Sequence, residues 1–367
     1  MPPLYLLIKP ASGNCNLRCR YCFYHDEMKN RSAASAGMMR QEDLERLAEK
    51  ALAHAEGVCT FAFQGGEPTL AGRPFFEHLV ACVNRLNRRG LHINYAIQTN
   101  GMALNEQWAS FLAANRFLTG VSLDGIRRVN DSFRIDPAGR GTFDRITKGI
   151  ALLEAKRVEF NILTVVTAES ARRIGKIYRF YKQRNWRYQQ YIPCLEPLGE
   201  ERGRQEYSLT PDIFARFLKE LFDLWHADVV RGEFVSNRMF ENLIGMLRGA
   251  PPDMCGTLGR CTPQYVVEAD GSVYPCDFYA LDRYRIGNLL TDTFAEIEAN
   301  RARTGFIEQS LAVAENCRTC KWASLCRGGC RRDRDYWTGE PGLNYYCSAY
   351  SAFFEYAFER LARLARG

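Results

Sequence analysis

No apolar run in this 367-residue chain approaches the roughly 18 residues a membrane span needs, which argues against a spanning role. The start, MPPLYLLIKPAS, carries no basic n-region and only a short apolar stretch, so a secretory signal peptide is not expected and cytoplasmic residence is. There is no long basic tail and no recognised nucleic-acid module, so neither membrane nor nucleic acid is expected as a partner. No internal repeat or low-complexity segment interrupts the chain. Histidine is scarce, at five residues, and the five form no metal pattern. His25 reads as structural.

What the chain does have is an ordinary globular composition, 46% apolar and 25% charged, with a net charge of +7 from 49 basic against 42 acidic residues. The densest basic run is Arg331, Arg332 and Arg334. It reads as a solvated basic surface or as a docking patch for an acidic electron donor, because surface charge steers encounter. Cysteine is abundant, at fourteen. In a reducing compartment so many cysteines point to metal ligands or catalytic groups rather than disulfides.

Short β-rich runs alternate with amphipathic helical patterns through the first half. Strands are expected near 4–9, 59–63, 94–98, 118–122, 159–165 and 187–192. Helices are expected near 41–55, 74–88, 106–114, 143–154 and 171–184. Thr210 before Pro211 marks the start of a further helix reaching about residue 230. This alternation predicts an α/β fold with a parallel sheet and right-handed crossovers, whose chemistry gathers at the strand C-termini. After about residue 232 the pattern changes. Stretches 264–268 and 272–275 flank Ala269, Asp270 and Gly271 as a hairpin, and 351–364 reads as a closing amphipathic helix. The expected domains are 1–232, then 233–347 with a linker helix, then the helix 348–367.

Cys15-x3-Cys19-x2-Cys22 lies in the loop after the first strand. Three cysteines so close can ligate three irons of a cubane that usually takes four thiolates, which leaves one iron open. A zinc site or an accidental grouping is the rival reading. With aromatic Tyr21 before the last cysteine, the motif resembles the signature of radical S-adenosylmethionine (SAM) enzymes. Gly65, Gly66, Glu67 and Pro68 resemble the GGEP motif of that family, in which glycines let the backbone approach a ligand and the methionine amino group needs an acceptor. By the same resemblance Ser122 and Arg134 are polar SAM contacts and Leu195 an adenine contact. The implied fold is a partial (β/α)6 barrel, and the implied chemistry is reductive SAM cleavage to a 5′-deoxyadenosyl radical.

The C-terminal pattern is Cys261-x9-Gly271-x4-Cys276, then Cys317-x2-Cys320-x5-Cys326-x3-Cys330, then Cys347. It resembles a SPASM domain, which carries two auxiliary [4Fe–4S] clusters. Zinc competes for Cys317, Cys320, Cys326 and Cys330 on spacing alone. The resemblance assigns Cys255, Cys261, Cys276 and Cys330 to one cluster and Cys317, Cys320, Cys326 and Cys347 to the other, giving three [4Fe–4S] clusters in all. Cys59 and Cys82 read as buried structural thiols, and Cys194 is left without a role.

The nearer resemblance, running almost end to end, is to anaerobic sulfatase-maturating enzymes. It rests on LLIKPAS before Cys15, FAFQGGEPTL at 61–70, QTNG at 98–101, DGSVYPCDFY at 270–279 and CRGGCRR at 326–332. It implies oxidation of a cysteine or serine in an unfolded or nascent sulfatase polypeptide to Cα-formylglycine. Asp277, directly after the proposed ligand Cys276, is the candidate catalytic base and the resemblance agrees; the basic run at 331–334 points to a flavodoxin or ferredoxin as electron donor. Tyr24, Gln64, Gln98 and Asn100 follow strand ends and are candidates for holding the peptide. Two other classes remain: another SPASM peptide modifier, such as a thioether-forming maturase, and a non-enzymatic cluster or zinc carrier.

Overall fold

The computed structural model describes residues 3–335 and 342–367. The strands are β1 (Leu4–Ile8), β2 (Val58–Phe63), β3 (His92–Thr99), β4 (Leu118–Ser122), β5 (Phe160–Val166), β6 (Tyr188–Pro193), β7 (Ser236–Asn237), β8 (Tyr265–Val267), β9 (Ser272–Tyr274) and β10 (Gly287–Asn288). Among the described residues, no helix is long and apolar enough to cross a membrane. The chain forms two compact units. The first comprises Met1–Ser122, Arg134–Phe160 and Pro263–Phe306; the second comprises Leu123–Phe133, Asn161–Thr262 and Ile307–Gly367.

In the first unit β1, β2, β3 and β4 pair in sequence order, all parallel, with Leu6 opposite Phe61 and Phe61 opposite Tyr95. The helices between them bury one face each. Arg73–Leu86 buries Phe75, Phe76, Leu79, Cys82 and Val83, the three- and four-residue spacing of a helical stripe. Gln41–His54 buries Leu44, Leu47, Ala48 and Ala51 in the same way. The expected hairpin forms: Val267 pairs with Val273 across Asp270 and Gly271. The C-terminal segment is not, however, separate from the sheet. Leu6 of β1 pairs in parallel with Tyr265 of β8, so β8, β9 and β10 extend the sheet beyond β1.

In the second unit β5, β6 and β7 pair in parallel. The helix Pro211–Val230 begins as expected with Pro211 in its first turn, and it packs on the closing helix Cys347–Arg366. Phe214, Phe222, Phe353 and Tyr346 supply their shared aromatic core.

One sequence expectation is overturned. Arg331, Arg332 and Arg334 are 7%, 3% and 6% exposed, so they are not a surface docking patch. Their charges are met inside the second unit. Arg332 donates to the Glu196 carbonyl at 2.8 Å, and Arg334 to the Ser310 carbonyl at 2.7 Å. Arg331 donates to Asp335 at 2.9 Å and to Gln309 at 3.0 Å. Arg202 pairs with the intervening Asp333 at 3.2 Å. A planar guanidinium with five donors can saturate backbone carbonyls where the chain folds over it.

Candidate active site

Three strand ends of the first unit carry the expected motifs. The loop after β1 turns through Ser12 and Asn14 into Cys15, and the GGEP turn after β2 docks on it. Gln64 N–H donates to the Ile8 carbonyl at 3.0 Å, Gly66 N–H to that of Ser12 at 2.8 Å and Glu67 N–H to that of Asn14 at 2.8 Å. A Cβ on Gly66 would stand 1.9 Å from the Asn14 oxygen. Gly65 has φ of +113° and lies over Ser12 and Lys9. The close approach these glycines permit is thus to the chain's own cysteine loop.

Glu67 is 1% exposed, and its carboxylate ties the ends of β2 and β3 together. It accepts from the Thr69 hydroxyl at 2.6 Å, the Thr69 N–H at 3.1 Å, the Thr99 hydroxyl at 2.7 Å and the Asn100 N–H at 2.7 Å. Burial pushes its carboxyl up, and these bonds oppose that rise. Asn100 faces the cysteine loop, its amide donating to Asn16 at 2.7 Å and to the Cys15 thiol at 3.6 Å. Arg134 reaches the Cys19 thiol at 3.8 Å and stands over the Tyr21 ring at 5.7 Å. Burial pushes the Cys15 thiol up to about 11, with Glu67 and Cys22 adding to the rise. A thiolate here wants a cationic partner, which three convergent irons would supply. Gln98 is half-buried at the end of β3, and Ser122 closes β4. Leu195 follows β6 in the second unit.

Because β8 pairs with β1, Asp277 meets residues some 250 positions earlier. Tyr24 donates to Asp277 Oδ2 at 2.6 Å, and Gln64 donates to the same oxygen and to the Tyr24 hydroxyl, both at 2.8 Å. Oδ1 accepts no hydrogen bond and lies 3.8 Å from Lys9 Nζ. Beneath it is a buried charge cluster that sequence reasoning missed. Lys9 pairs with Glu268 at 3.0 Å and Glu27 at 3.7 Å; Arg31 pairs with Glu268 at 2.7 Å and Glu27 at 3.7 Å. All four side chains are at most 5% exposed. Lys9 and Glu268 each directly follow a strand, β1 and β8, and a charge ending an apolar strand was the available signal.

Burial pushes Asp277 up, with Lys9 as the main opposing charge. Burial also lifts Glu27 to about 8 despite Lys9. For Glu268 burial is outweighed by Lys9 and Arg31, which hold it down at about 2. Two cations thus face three carboxyl groups, of which burial raises Glu27 and Asp277 while the cations hold Glu268 down.

In the second unit, Cys317, Cys320, Cys326 and Cys347 line one cavity of about 290 Å³ with Leu311 and Val313. Burial pushes Cys326 up to about 11, and the other three thiols add to the rise. Cys330 is raised by burial and then by Asp333, with Cys255 and Cys261 also contributing. The second unit thus brings Cys317, Cys320, Cys326 and Cys347 together, and Cys330 near Cys255 and Cys261. Cys276, in the first unit, caps the short turn Asp277–Tyr279. Cys59, Cys82 and Cys194 are all buried, as expected for the first two.

The radical SAM superfamily matches residues 10–181, and an iron–sulfur cluster-binding (SPASM) domain matches 259–321. The chain is 48% identical over 366 residues to a cysteine-type anaerobic sulfatase-maturating enzyme of Clostridium perfringens, covering 100% of this chain and 99% of the relative. It is 44% identical over 367 residues to the enzyme of the same description from Clostridium novyi, covering 100% and 98%. The structure of native anSMEcpe with bound AdoMet and Cp18Cys peptide superposes with a TM-score of 0.94 at 47% identity, covering 100% of this chain and 99% of that one. A parallel radical SAM core, a cysteine-rich SPASM segment and near-complete likeness to these relatives place the chain: it belongs to the anaerobic sulfatase-maturating family of radical SAM enzymes.

Proposed function

We propose that this protein oxidises a cysteine side chain in a sulfatase polypeptide to Cα-formylglycine, with serine as a second substrate. The observation that carries the reading is Asp277 beside the proposed cluster ligand Cys276, its carboxylate fixed by Tyr24 and Gln64 at Oδ2 and faced by Lys9 at Oδ1. The cysteine-type relatives favour cysteine over serine.

Cys15, Cys19 and Cys22 hold the SAM cluster, and the eight C-terminal cysteines hold the two auxiliary clusters. When bound, these groups with SAM supply the 5′-deoxyadenosyl radical that takes a hydrogen atom from the substrate Cβ and an acceptor for the second electron. Tyr21, Gly65, Gly66, Glu67, Ser122 and Arg134 would hold SAM, and the family resemblance makes Leu195 an adenine contact. Asp277 takes the substrate thiol proton, while Tyr24 and Gln64 fix its carboxylate through Oδ2 and Lys9 opposes the rise that burial imposes on it. A base must sit within hydrogen-bond reach of the proton it removes, and the Tyr24 and Gln64 bonds hold the carboxylate in one orientation for that task. Gln98 and Asn100 border the peptide. The resulting thioaldehyde hydrolyses to the aldehyde. The electron donor is of the flavodoxin or ferredoxin type, docking elsewhere than at 331–334, and the enzyme works in the cytoplasm.

The test is anaerobic incubation with SAM, reductant and a cysteine-type or serine-type sulfatase peptide, read by mass spectrometry. Aldehyde should form, faster from the cysteine peptide. Asp277→Asn should still release 5′-deoxyadenosine while aldehyde falls about a hundredfold, the usual worth of a positioned base. A thioether crosslink instead of an aldehyde would overturn the reading in favour of another peptide-modifying reaction.

A further inference from the structure

Outside this site, one group of side chains converges on a point that none of them fills. The helix Arg73–Leu86 carries His78 and Cys82, spaced i and i+4 and so on one face. The helix Gln41–His54 packs against it and presents Glu45. His78 Nε2 lies 3.3 Å from Cys82 Sγ and 3.6 Å from Glu45 Oε2, and the three ligand atoms are all within 4.8 Å of one another. A tetrahedral ion ~2.0–2.3 Å from each ligand atom spaces those atoms about 3.3–3.6 Å apart, which the His78–Cys82 and His78–Glu45 separations match.

The ring nitrogen faces the Cys82 thiol and the Glu45 carboxylate, and the thiol also bonds that carboxylate. The thiol and imidazole protons that hold these groups together are the ones a divalent ion would replace, taking one ligand atom from each residue. The remaining polar contacts are from Arg85, which pairs with Glu45 Oε1 and lies 3.7 Å from Cys82 Sγ. A cation is thus already drawn to the thiol and carboxylate. Arg85 is 60% exposed and can withdraw to solvent at little cost. Thiolate, imidazole and carboxylate together select a borderline divalent ion rather than calcium or magnesium.

We propose that Glu45, His78 and Cys82 bind one divalent ion of the zinc class, with water as fourth ligand, pinning these two helices of the first unit together. Sequence spacing hides the site, because its ligands come from two helices and Cys82 looks like one more core residue. Binding removes the Cys82 proton, so affinity should rise with pH.

The experiment uses cluster-loaded enzyme, dialysed anaerobically against zinc, with zinc and iron counted together. Wild type should retain about one zinc per chain at unchanged iron, and its Tm should rise with zinc, as any ligand of the native state requires. His78→Ala and Cys82→Ser should lose both effects and keep their aldehyde-forming activity. If either variant folds poorly, Glu45→Gln, at a half-exposed position, should weaken zinc retention at least tenfold. No retained zinc in wild type, equal zinc in the variants, or zinc gained at the expense of iron would each overturn the proposal.

Discussion

Replacing Lys9 by Met keeps the length of the side chain and removes its charge, which isolates what the buried cluster does for Asp277. Lys9 is 1% exposed and faces Glu268 at 3.0 Å, Glu27 at 3.7 Å and Asp277 at 3.8 Å. The variant leaves Arg31 as the one cation of this cluster against Glu268, Glu27 and Asp277. Glu268 keeps its 2.7 Å pair with Arg31, so Asp277, already pushed up by burial, is the group that takes a proton. Losing one partner of a buried ion pair costs about 3–5 kcal/mol, and protonation of Asp277 places this case near 3. At an unfolding entropy of about 2.1 cal/mol/K per residue, that is a Tm loss of ~4 °C for the chain unfolding as one unit. A protonated Asp277 cannot act as a base, so aldehyde should fall by about a hundredfold while 5′-deoxyadenosine still forms. The assay counts both products by mass spectrometry beside a thermal scan at matched iron content. Adding Glu268→Gln should recover at least ~1 kcal/mol of the loss, since the two residues are in contact. Unchanged product ratio, or strictly additive effects in the double variant, would refute the reasoning.

Two further outcomes follow from the geometry. Gly66→Ala forces a methyl group into the Asn14 carbonyl, at 1.9 Å from its oxygen. The cysteine loop must therefore shift, and iron should fall from about twelve to about eight per chain as only the N-terminal cluster is lost; full iron with normal SAM cleavage would show the loop tolerates it. Glu27 is held at about 8 in the folded state by burial, against 4.5 for the ordinary carboxyl. Between those values the folded chain keeps a proton that the unfolded chain has lost, so this residue's contribution to stability declines as pH rises through the window. Glu27→Gln removes the decline, and the Tm of the variant relative to wild type should climb from pH 5 to pH 8 and then level off. A flat difference across that range would rule out a raised Glu27.

The sequence by itself determined the cluster motifs, because ligand spacing within Cys15 to Cys22 and Cys317 to Cys330 is set along the chain. It also determined the β/α alternation, because apolar period and helix caps such as Thr210–Pro211 are local, and strands β1 to β6 lie within about two residues of expectation. Asp277 was singled out by its place after Cys276 and by the family resemblance. Tertiary structure alone decided what surrounds it. The pairing of β8 with β1 brings Glu268 and Asp277 to Lys9, Tyr24 and Gln64, and no local pattern encodes a contact between residues 253 apart. It likewise decided that Arg331, Arg332 and Arg334 lie inside rather than on the surface. A charged residue names a need for partners, and only the folded chain shows whether water or buried carbonyls and carboxylates supply them.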